Sequence, residues 1–213
     1  MSRHSRSRNL PPIVAFPPSS RKRTLPPNDE SPALGDQPRQ LSSTELTTAE
    51  MDSIRRLMIV AFGSEDEFTD TDWQHALGGR HFVIERGGEI VAHAAVVERE
   101  LQVGDRALRT GYVEAVATAP DLQGQGIGSQ LMEAVNAFIR ETYELGALGT
   151  GRLAFYGRLG WLRWLGPSFV RTADGLVRTE DDDGWILVLP TPTSPALDLR
   201  APISCDWRPG DVW

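Results

Sequence analysis

Residues 111–131, GYVEAVATAPDLQGQGIGSQL, constrain the fold of this chain more than any other stretch. The apolar run at their start predicts a strand, Pro120-Asp121 predicts a turn, and an amphipathic helix is expected from about residue 127 to residue 144. Glycines occupy the start of that helix, where no side chain can cap it. Its first backbone N–H groups are therefore unpaired at the positive end of the helix dipole, an arrangement that favours a bound pyrophosphate.

This glycine-rich loop differs from two familiar nucleotide-binding loops. It is not a Walker loop, because no Gly-Lys-Ser/Thr follows it, and the strand before it ends a meander instead of opening a βαβ unit. A glycine-rich turn without a ligand is the alternative interpretation. The strand before the loop, the helix after it and the Phe155-Tyr156 pair about thirty residues later favour a pyrophosphate site.

The pattern Gln-x-x-Gly-x-Gly at residues 123–128 resembles the acetyl-CoA loop of the GCN5-related N-acetyltransferases, the GNAT superfamily. The resemblance implies acetyl-CoA as the acetyl donor, with backbone N–H groups at Val116 and Ala117 holding the thioester carbonyl and the pantetheine amides. The cofactor-binding residues that it implies are Val116, Ala117, Thr118, Gln123, Gly124, Gln125, Gly126, Ile127 and Gly128.

The order of predicted elements indicates an α+β fold. Thr47-Thr48-Ala49-Glu50 is a capping box that starts a helix ending at Phe62-Gly63, and a second short helix opens near Thr71. A three-strand antiparallel meander follows, then the glycine loop and its helix. Short elements are predicted at 146–148, 152–158, 161–165, 170–178 and 185–189, with 191–213 irregular. This is the GNAT order, with helices flanking a mixed antiparallel and parallel sheet.

Within the GNAT superfamily, residues 45–213 resemble the aminoglycoside 2′-N-acetyltransferases. The segments that carry this resemblance are Phe68-Thr69-Asp70-Thr71-Asp72-Trp73, Gly111-Tyr112-Val113-Glu114, Gly146-Ala147-Leu148, Gly160-Trp161-Leu162, Asp181-Asp182-Asp183-Gly184 and Cys205-Asp206-Trp207-Arg208 with Gly210-Asp211-Val212-Trp213. The triple-Asp turn and the tryptophan-terminated tail are more specific than the glycine loop. The resemblance implies acetyl transfer to the 2′-amine of aminoglycosides, and hence antibiotic resistance.

Two residues are candidates for the catalytic steps. Glu114 lies mid-strand, and the two-residue period predicts that it shares a face with Tyr112 and Val116. A carboxylate there could act as general base toward the acceptor amine, and a surface glutamate is the alternative. The resemblance implies a substrate-contacting glutamate at this position. It also matches Tyr156 to the tyrosine that protonates the departing CoA thiolate; the alternative is packing beneath the cofactor.

Acidic residues in loops and at element ends are expected to bind the acceptor. An aminoglycoside is a polyamine, so charge-assisted hydrogen bonds should dominate its recognition. The substrate-binding residues expected here, largely from the resemblance, are Glu67, Asp72, Glu114, Ala115, Gly149, Asp182, Asp211 and Trp213, the last through its carboxylate. Gly149 aligns with a substrate-contacting serine of the family and has no hydroxyl, although the neighbouring Thr150 does.

Charge divides the chain into two parts. Residues 1–40 contain seven Lys or Arg, three Asp or Glu and repeated prolines, which predicts a disordered tail. Residues 41–213, the predicted acetyltransferase domain, keep 15 basic and 26 acidic residues. An acidic domain repels nucleic acid and anionic membranes and attracts polycations. No apolar run approaches the ~20 residues that span a bilayer.

The remaining composition bounds other classes of function. The single Cys205 excludes an intrachain disulfide and fits a reducing cytoplasm. No metal site is predicted, and His93 is expected to be a hydrogen-bonded structural residue. A homodimer is possible by resemblance. Two alternatives stay open: the same fold acetylating another cellular amine, such as a polyamine, a cell-wall amino sugar or a protein amine, and a non-catalytic acyl-CoA-binding module.

Overall fold

The computed structural model describes residues 37–63 and 68–213. Within these ranges lie four α-helices, α1 Thr48–Phe62, α2 Asp70–Ala76, α3 Ile127–Thr142 and α4 Leu153–Gly157. The strands are β1 Arg39–Ser42, β2 Arg80–Arg86, β3 Glu89–Val103, β4 Arg106–Thr118, β5 Leu145–Gly149, β6 Leu162–Arg163, β7 Ser168–Thr172, β8 Gly175–Arg178, β9 Ile186–Pro190 and β10 Ile203–Asp206. No described helix is both long and apolar enough to cross a bilayer.

All ten strands join one mixed sheet. Its main order is β6-β9-β5-β4-β3-β10-β7-β8, and β2 and β1 extend from the first half of β3. The pairs β2–β3 and β3–β4 are antiparallel, which confirms the predicted meander, whereas β4–β5 and β10–β7 are parallel. The mixed sheet flanked by helices is the α+β fold that the sequence predicts.

Side-chain caps and apolar stripes explain where the helices begin and which face they bury. The Thr47–Glu50 capping box is formed as predicted, and Thr69 with Asp72 forms a second one at the start of α2. Helix α3 buries Leu131, Val135 and Ile139 at helical spacing against one face of the sheet. Helices α1 and α2 cover the opposite face. The sheet is therefore enclosed on both faces in this region.

Strand β4 positions the candidate site through two irregularities. Its pairing with β5 covers only Thr110 to Tyr112, so the two strands separate beyond that point. Its pairing with β3 shifts register between Ala95↔Glu114 and His93↔Ala117, which is a β-bulge containing Ala115 at φ 50°. Ala115 is the one described non-glycine residue with positive φ. The splay and the bulge expose β4 backbone in the middle of the sheet.

The bulge corrects one prediction about faces. Because an extra residue enters β4 after Glu114, alternation is broken there. Tyr112 and Glu114 share a face with Ala117, while Val116 packs on the opposite side with the α3 cluster. The predicted grouping of Tyr112, Glu114 and Val116 on one face is therefore wrong for Val116.

Several predicted boundaries shift as well. The segment expected to be irregular contains β10, which pairs with both β3 and β7. Helix α3 ends at Thr142, two residues early, and the strand expected over 161–165 is reduced to Leu162–Arg163. The first strand starts at Arg39, just before the domain boundary expected at residue 41.

Candidate active site

The glycine loop has the geometry of an anion cradle. Gly124 and Gly126 have φ of +76° and +89°, and a Cβ on either would meet no atom within 4 Å, so the loop backbone is open. Helix α3 begins after Gly126 with no side-chain hydrogen bond at its cap. The N–H groups of its first turn are therefore available at the positive end of a 16-residue helix dipole.

Side chains around the loop fix its shape. Gln123 Nε2 donates to Thr118 O at 3.1 Å, and Gln125 Nε2 donates to Asp121 O at 3.1 Å. Ile127 is buried in the core, which leaves its backbone N–H to face a ligand. Gly128 lies against Thr118, whose Oγ1 would be 3.1 Å from an added Cβ. The loop thus offers backbone donors, while its glutamine amides are occupied locally.

Glu114 lies in a buried, charged setting on the face of β4 opposite α3. Arg208 Nη1 is 2.6 Å from Glu114 Oε1, and both side chains are about one-sixth exposed or less, at 15% and 16%. The contact is a close, charge-assisted ion pair, so Oε1 is paired with Arg208. Burial raises the pKa of Glu114, and the charge of Arg208 opposes that rise.

Tyr112 lies beside Glu114 under two guanidinium groups. Arg99 and Arg208 lie over its ring, with Cζ 4.6 and 5.6 Å from the centroid. Its hydroxyl is buried without a hydrogen-bond partner, and burial raises its pKa. Among the described residues, Tyr112 Oη is thus a buried side-chain polar atom with neither a hydrogen bond nor an ion pair. A buried polar atom of this kind calls for an explanation, such as a bound ligand or water.

The segment 206–213 closes this side of the sheet. Arg99 donates to Val212 O at 2.8 Å and to Asp206 O at 3.0 Å, and Arg208 Nε donates to Asp211 O at 2.7 Å. His75 of α2 lies 2.9 Å from Pro209 O. These bonds hold the segment across β3 and α2, so that Arg208 reaches Glu114 and the Asp211 backbone is bonded to Arg208.

The structure brings some of the predicted acceptor-binding acids together. Asp72 is near enough to Glu114 to raise its pKa, although the Asp72 carboxylate also accepts from Thr69 in the capping box. Asp182 lies in the short turn of 3₁₀ helix at 180–182, and Asp211 lies in the closing segment. Glu67 falls outside the described residues.

Asp183 has a structural role next to these residues. Its carboxylate binds Arg178 and accepts from Ser168 N at 3.0 Å, and these contacts lower its pKa to about 2. The contacts tie the β7–β8 hairpin to the triple-Asp turn. Asp183 therefore has structural contacts, whereas Asp182 stays a candidate for binding the acceptor.

Gly149 lies directly against the backbone of Trp213. A Cβ on Gly149 would be 3.1 Å from Trp213 C and 3.6 Å from Tyr112 Oη. The Trp213 ring is buried, and its Nε1 donates to Thr179 Oγ1 at 3.1 Å. Thr150 Oγ1 accepts from Arg152 N at 3.0 Å. The absence of a side chain at 149 is what allows the closing segment to approach β5.

Tyr156 lies on the opposite face, in the core beside α3. It is 5% exposed and contacts Phe155 and Trp161 edge-on at centroid distances of 4.9 and 6.0 Å. Burial raises its pKa, which keeps the phenol protonated at neutral pH. Phe155 in turn lies near Gly128, with Cζ 3.6 Å from the position of an added Cβ. Tyr156 is thus connected to the helix end that carries the glycine loop.

Three residues of this site are not predicted as site residues by the sequence. Arg99 is not singled out, Tyr112 is expected on the face of Glu114 without a role of its own, and Arg208 enters only as part of a family motif. An arginine next to an apolar strand is the one local signal that indicates Arg99. The meeting of these three residues depends on segment 206–213, whose course no local pattern predicts.

Comparison with known proteins defines the class. A family model for the acetyltransferase (GNAT) domain matches residues 43–163, and the chain belongs to this family. Solved structures agree on the fold. A GNAT family N-acetyltransferase from Escherichia coli in complex with CoA superposes with a TM-score of 0.56 at 17% identity, over 83% of this chain and 92% of that one. One from Brucella melitensis in complex with acetyl-CoA gives 0.51 at 18% identity, over 76% and 94%.

A curated relative is more specific. The chain is similar to the aminoglycoside 2′-N-acetyltransferase of Mycolicibacterium fortuitum, at 46% identity over 179 residues, which cover 82% of this chain and 91% of that protein. The predicted membership of the GNAT superfamily, the resemblance to that enzyme class and the predicted acetyl-CoA-dependent N-acetyltransferase activity are confirmed.

Proposed function

We propose that this protein transfers the acetyl group of acetyl-CoA to the 2′-amine of aminoglycosides by direct attack, without a covalent enzyme intermediate. The observation that carries the proposal is the buried pair Tyr112 and Glu114 beside the splay of β4 and β5, where Glu114 is ion-paired with Arg208 and Tyr112 Oη has no hydrogen-bond partner. They are a base and a polar anchor at the place where donor and acceptor must meet. The similarity to the M. fortuitum enzyme supports the choice of acceptor.

Glu114 is proposed as the general base. The acceptor amine is an ammonium at neutral pH and must lose a proton before it can attack the thioester. A carboxylate whose pKa burial has raised is a stronger base than one in water. Arg208 Nη1 lies 2.6 Å from Glu114 Oε1. The acceptor ammonium would therefore take the place of the Arg208 guanidinium beside this carboxylate. Asp72, Asp182 and Asp211 are proposed to hold the other ammonium groups.

The donor side is proposed to use backbone groups and Tyr156. The first turn of α3 and the loop at 123–128 would hold the pyrophosphate, and the N–H groups at Val116 and Ala117 would hold the thioester carbonyl. Charge builds on that oxygen as the amine attacks, and fixed donors stabilise it. The C–S bond then breaks, the attacking nitrogen loses its second proton to solvent, and the Tyr156 phenol gives its proton to the thiolate. Burial raises the pKa of this phenol, so it is protonated when the thiolate forms but is a weak acid, and the phenolate afterwards recovers a proton from solvent.

The test compares two acceptors that differ at one position. Gentamicin has a 2′-amine and amikacin a 2′-hydroxyl, so acetyl-CoA-dependent thiol release is expected with gentamicin only. Mass spectrometry of the product should show one added acetyl group on the 2′-nitrogen. Equal rates with both drugs, or turnover confined to polyamines such as spermidine, would overturn the proposed acceptor while leaving the donor chemistry intact.

The sequence also supports proposals about the domain bounds, the cellular location and the oligomeric state. A division of the chain near residue 40 into a tail and an acetyltransferase domain is proposed, with all of β1 at Arg39–Ser42 on the domain side, and limited proteolysis tests it. A cytoplasmic location and a homodimer are proposed with it, and fractionation and light scattering test these. Nucleic acid and membranes are not proposed as partners because the domain carries 26 acidic and 15 basic residues.

A further inference from the structure

A chain of hydrogen bonds runs from Ser43 through two buried histidines to the bulge in β4. Ser43 Oγ lies 2.8 Å from His81 Nε2, His81 Nδ1 lies 2.9 Å from His93 Nε2, and His93 Nδ1 lies 2.7 Å from Ala115 O. Both imidazoles are fully buried. Trp73 of α2 covers them, with ring centroids 6.1 and 6.4 Å away.

The direction of every proton in this chain follows from its last acceptor. Ala115 O can only accept, so His93 must carry its proton on Nδ1. A neutral imidazole has one N–H, so His93 Nε2 accepts from His81 Nδ1, and His81 Nε2 accepts from the Ser43 hydroxyl. Burial lowers the pKa of His81 to about 4 and that of His93 to about 3, which keeps both neutral.

The chain ends on the one strained residue of the described strands. Ala115 adopts φ 50°, a left-handed conformation that is unfavourable for a residue with a side chain. The bulge also turns its carbonyl to the His93 imidazole. The hydrogen bond from His93 therefore compensates for a backbone conformation that the chain would not otherwise favour.

The conformation of this peptide determines the direction of the next amide. In a planar trans peptide the C=O and the N–H point in opposite directions. Holding Ala115 O toward His93 turns the Val116 N–H away from the histidine pair. This is the N–H assigned above to the thioester carbonyl. A rotation of the peptide would take that donor away from the reacting oxygen.

We propose that His93, oriented by His81, is a positioning residue for acetyl transfer: it holds the Ala115–Val116 peptide so that the Val116 N–H faces the thioester oxygen. The inference rests on the proposed function, because it needs Val116 as an oxyanion donor. Neither histidine touches substrate or cofactor in this mechanism. Their effect passes through the backbone.

Two variants of His93 separate positioning from simple stability. The Asn side chain places an amide nitrogen near the position of His Nδ1, and Gln places its terminal group near Nε2. His93→Asn can therefore keep the donor to Ala115 O, and His93→Gln can keep only the contact with His81. Each loses one buried hydrogen bond, so their melting temperatures should fall together. Thr110→Val is the matched control, since it removes a buried hydroxyl that donates to Leu108 O earlier in β4.

The expected result is a difference in kcat at similar stability. His93→Gln should lower kcat about 10- to 100-fold, less than the 10²–10³ of a deleted oxyanion donor, with the KM for the acceptor nearly unchanged. His93→Asn should stay within about threefold of the wild type, and Thr110→Val within about twofold. If His93→Gln and His93→Asn have the same kcat, after each is compared with the Thr110→Val control, the positioning role is overturned.

A second measurement does not depend on turnover. ¹⁵N NMR of histidine-labelled protein at pH 7 should show His81 and His93 neutral and protonated on Nδ1. Either residue protonated on Nε2 overturns the inference. If the wild type acetylates no aminoglycoside, the proposed function fails while the NMR result still decides the state of the histidine chain. If the wild type is active and the two His93 variants are equal, only this inference fails.

Discussion

The two proposed binding surfaces beside β4 are built in different ways. In the proposed pyrophosphate loop, residues 123–128 offer backbone N–H groups, and their side chains are absent, buried or bonded locally. On the proposed acceptor side, Tyr112 and Glu114 meet Arg99 and Arg208 from segments distant in sequence. The proposed pyrophosphate loop is thus a short continuous segment, whereas the proposed acceptor side is assembled by the tertiary fold. Substitutions on the two sides should affect different kinetic constants.

The largest effect is expected at Glu114. Glu114→Gln keeps the shape of the side chain and removes the base, so kcat should fall by about 10²- to 10⁴-fold. Acetyl-CoA affinity, measured by calorimetry, should change less than about twofold, because the donor side is left intact. Steady-state rates equal to the wild type would remove Glu114 from the mechanism.

Tyr156→Phe tests the other end of the proton transfer. The variant keeps the edge contacts with Phe155 and Trp161 and deletes the hydroxyl. We expect kcat to fall about 10²-fold, at the lower end of the range for a lost general acid. The pH–rate profile should keep its shape below pH 10, because the raised pKa keeps the wild-type phenol protonated throughout that range. An unchanged kcat would assign Tyr156 to packing alone.

A tenfold effect confined to the donor side is expected at Gly126. Gly126→Ala forces a side chain into φ +89°, which costs roughly 1–2 kcal/mol and should displace the loop. The KM for acetyl-CoA should then rise about tenfold while the KM for gentamicin stays unchanged. Gly88→Ala is the matched control, since it places a side chain at a similar φ of +84° in the remote β2–β3 turn, where a Cβ would meet no atom within 4 Å. Equal KM values for the two variants would contradict the cradle.

The contrast between the two sides also explains what the sequence could predict. The glycine loop and α3 depend on neighbouring residues, so their pattern predicted them closely. Glu114 was identified because a charge inside an apolar strand is a local signal. Arg208 reaches it only through the closing segment, which depends on long-range hydrogen bonds from Arg99.

The β4 bulge shows why the alternation of side chains along a strand could not predict every face correctly. Alternation assigned Val116 to the face of Glu114, but one extra residue at Ala115 reverses the faces beyond it. Nothing in Ala115 itself signals a left-handed conformation, since glycine is the residue usual there. The Ala115 carbonyl lies 2.7 Å from His93 Nδ1 across the sheet, a contact between residues 22 positions apart that no local pattern predicts. Strand β10 was missed for a similar reason, because its parallel partner β7 is distant in sequence.

A smaller effect, confined to the acceptor side, is expected at Gly149. Gly149→Ala places a Cβ 3.1 Å from Trp213 C, so the closing segment must shift by a few tenths of an ångström. The KM for gentamicin should rise about fivefold, which corresponds to about 1 kcal/mol, with the KM for acetyl-CoA unchanged. Gly151→Ala is the control, because its Cβ would meet its nearest atom only at 4.0 Å. If both variants behave alike, contact with Trp213 does not shape the acceptor site.

The smallest effect concerns the pH dependence of the free energy of unfolding, to which the buried pair His81 and His93 contributes. In the folded protein burial lowers the pKa of His81 to about 4 and that of His93 to about 3, from an ordinary value near 6.5. Between these values the unfolded chain binds protons that the folded protein excludes, so the free energy of unfolding decreases as pH falls below about 6.5. The stability that depends on both histidines being neutral is fully present above about pH 6.5 and is lost as the pH falls toward the folded-state pKa values.

His93→Asn removes one of these titrating groups while retaining the proposed contact with Ala115. Between pH 6 and 4.5 the wild type should lose unfolding free energy more steeply than this variant, by up to about 1.4 kcal/mol per pH unit, the value for one proton. Urea titrations at several pH values measure the difference, and Thr110→Val should keep the wild-type slope. Asp183, whose pKa is lowered to about 2, contributes mainly below this interval. Parallel slopes for the wild type and His93→Asn would show that His93 is not held neutral, and the fixed direction of the hydrogen-bond chain would then be lost with it.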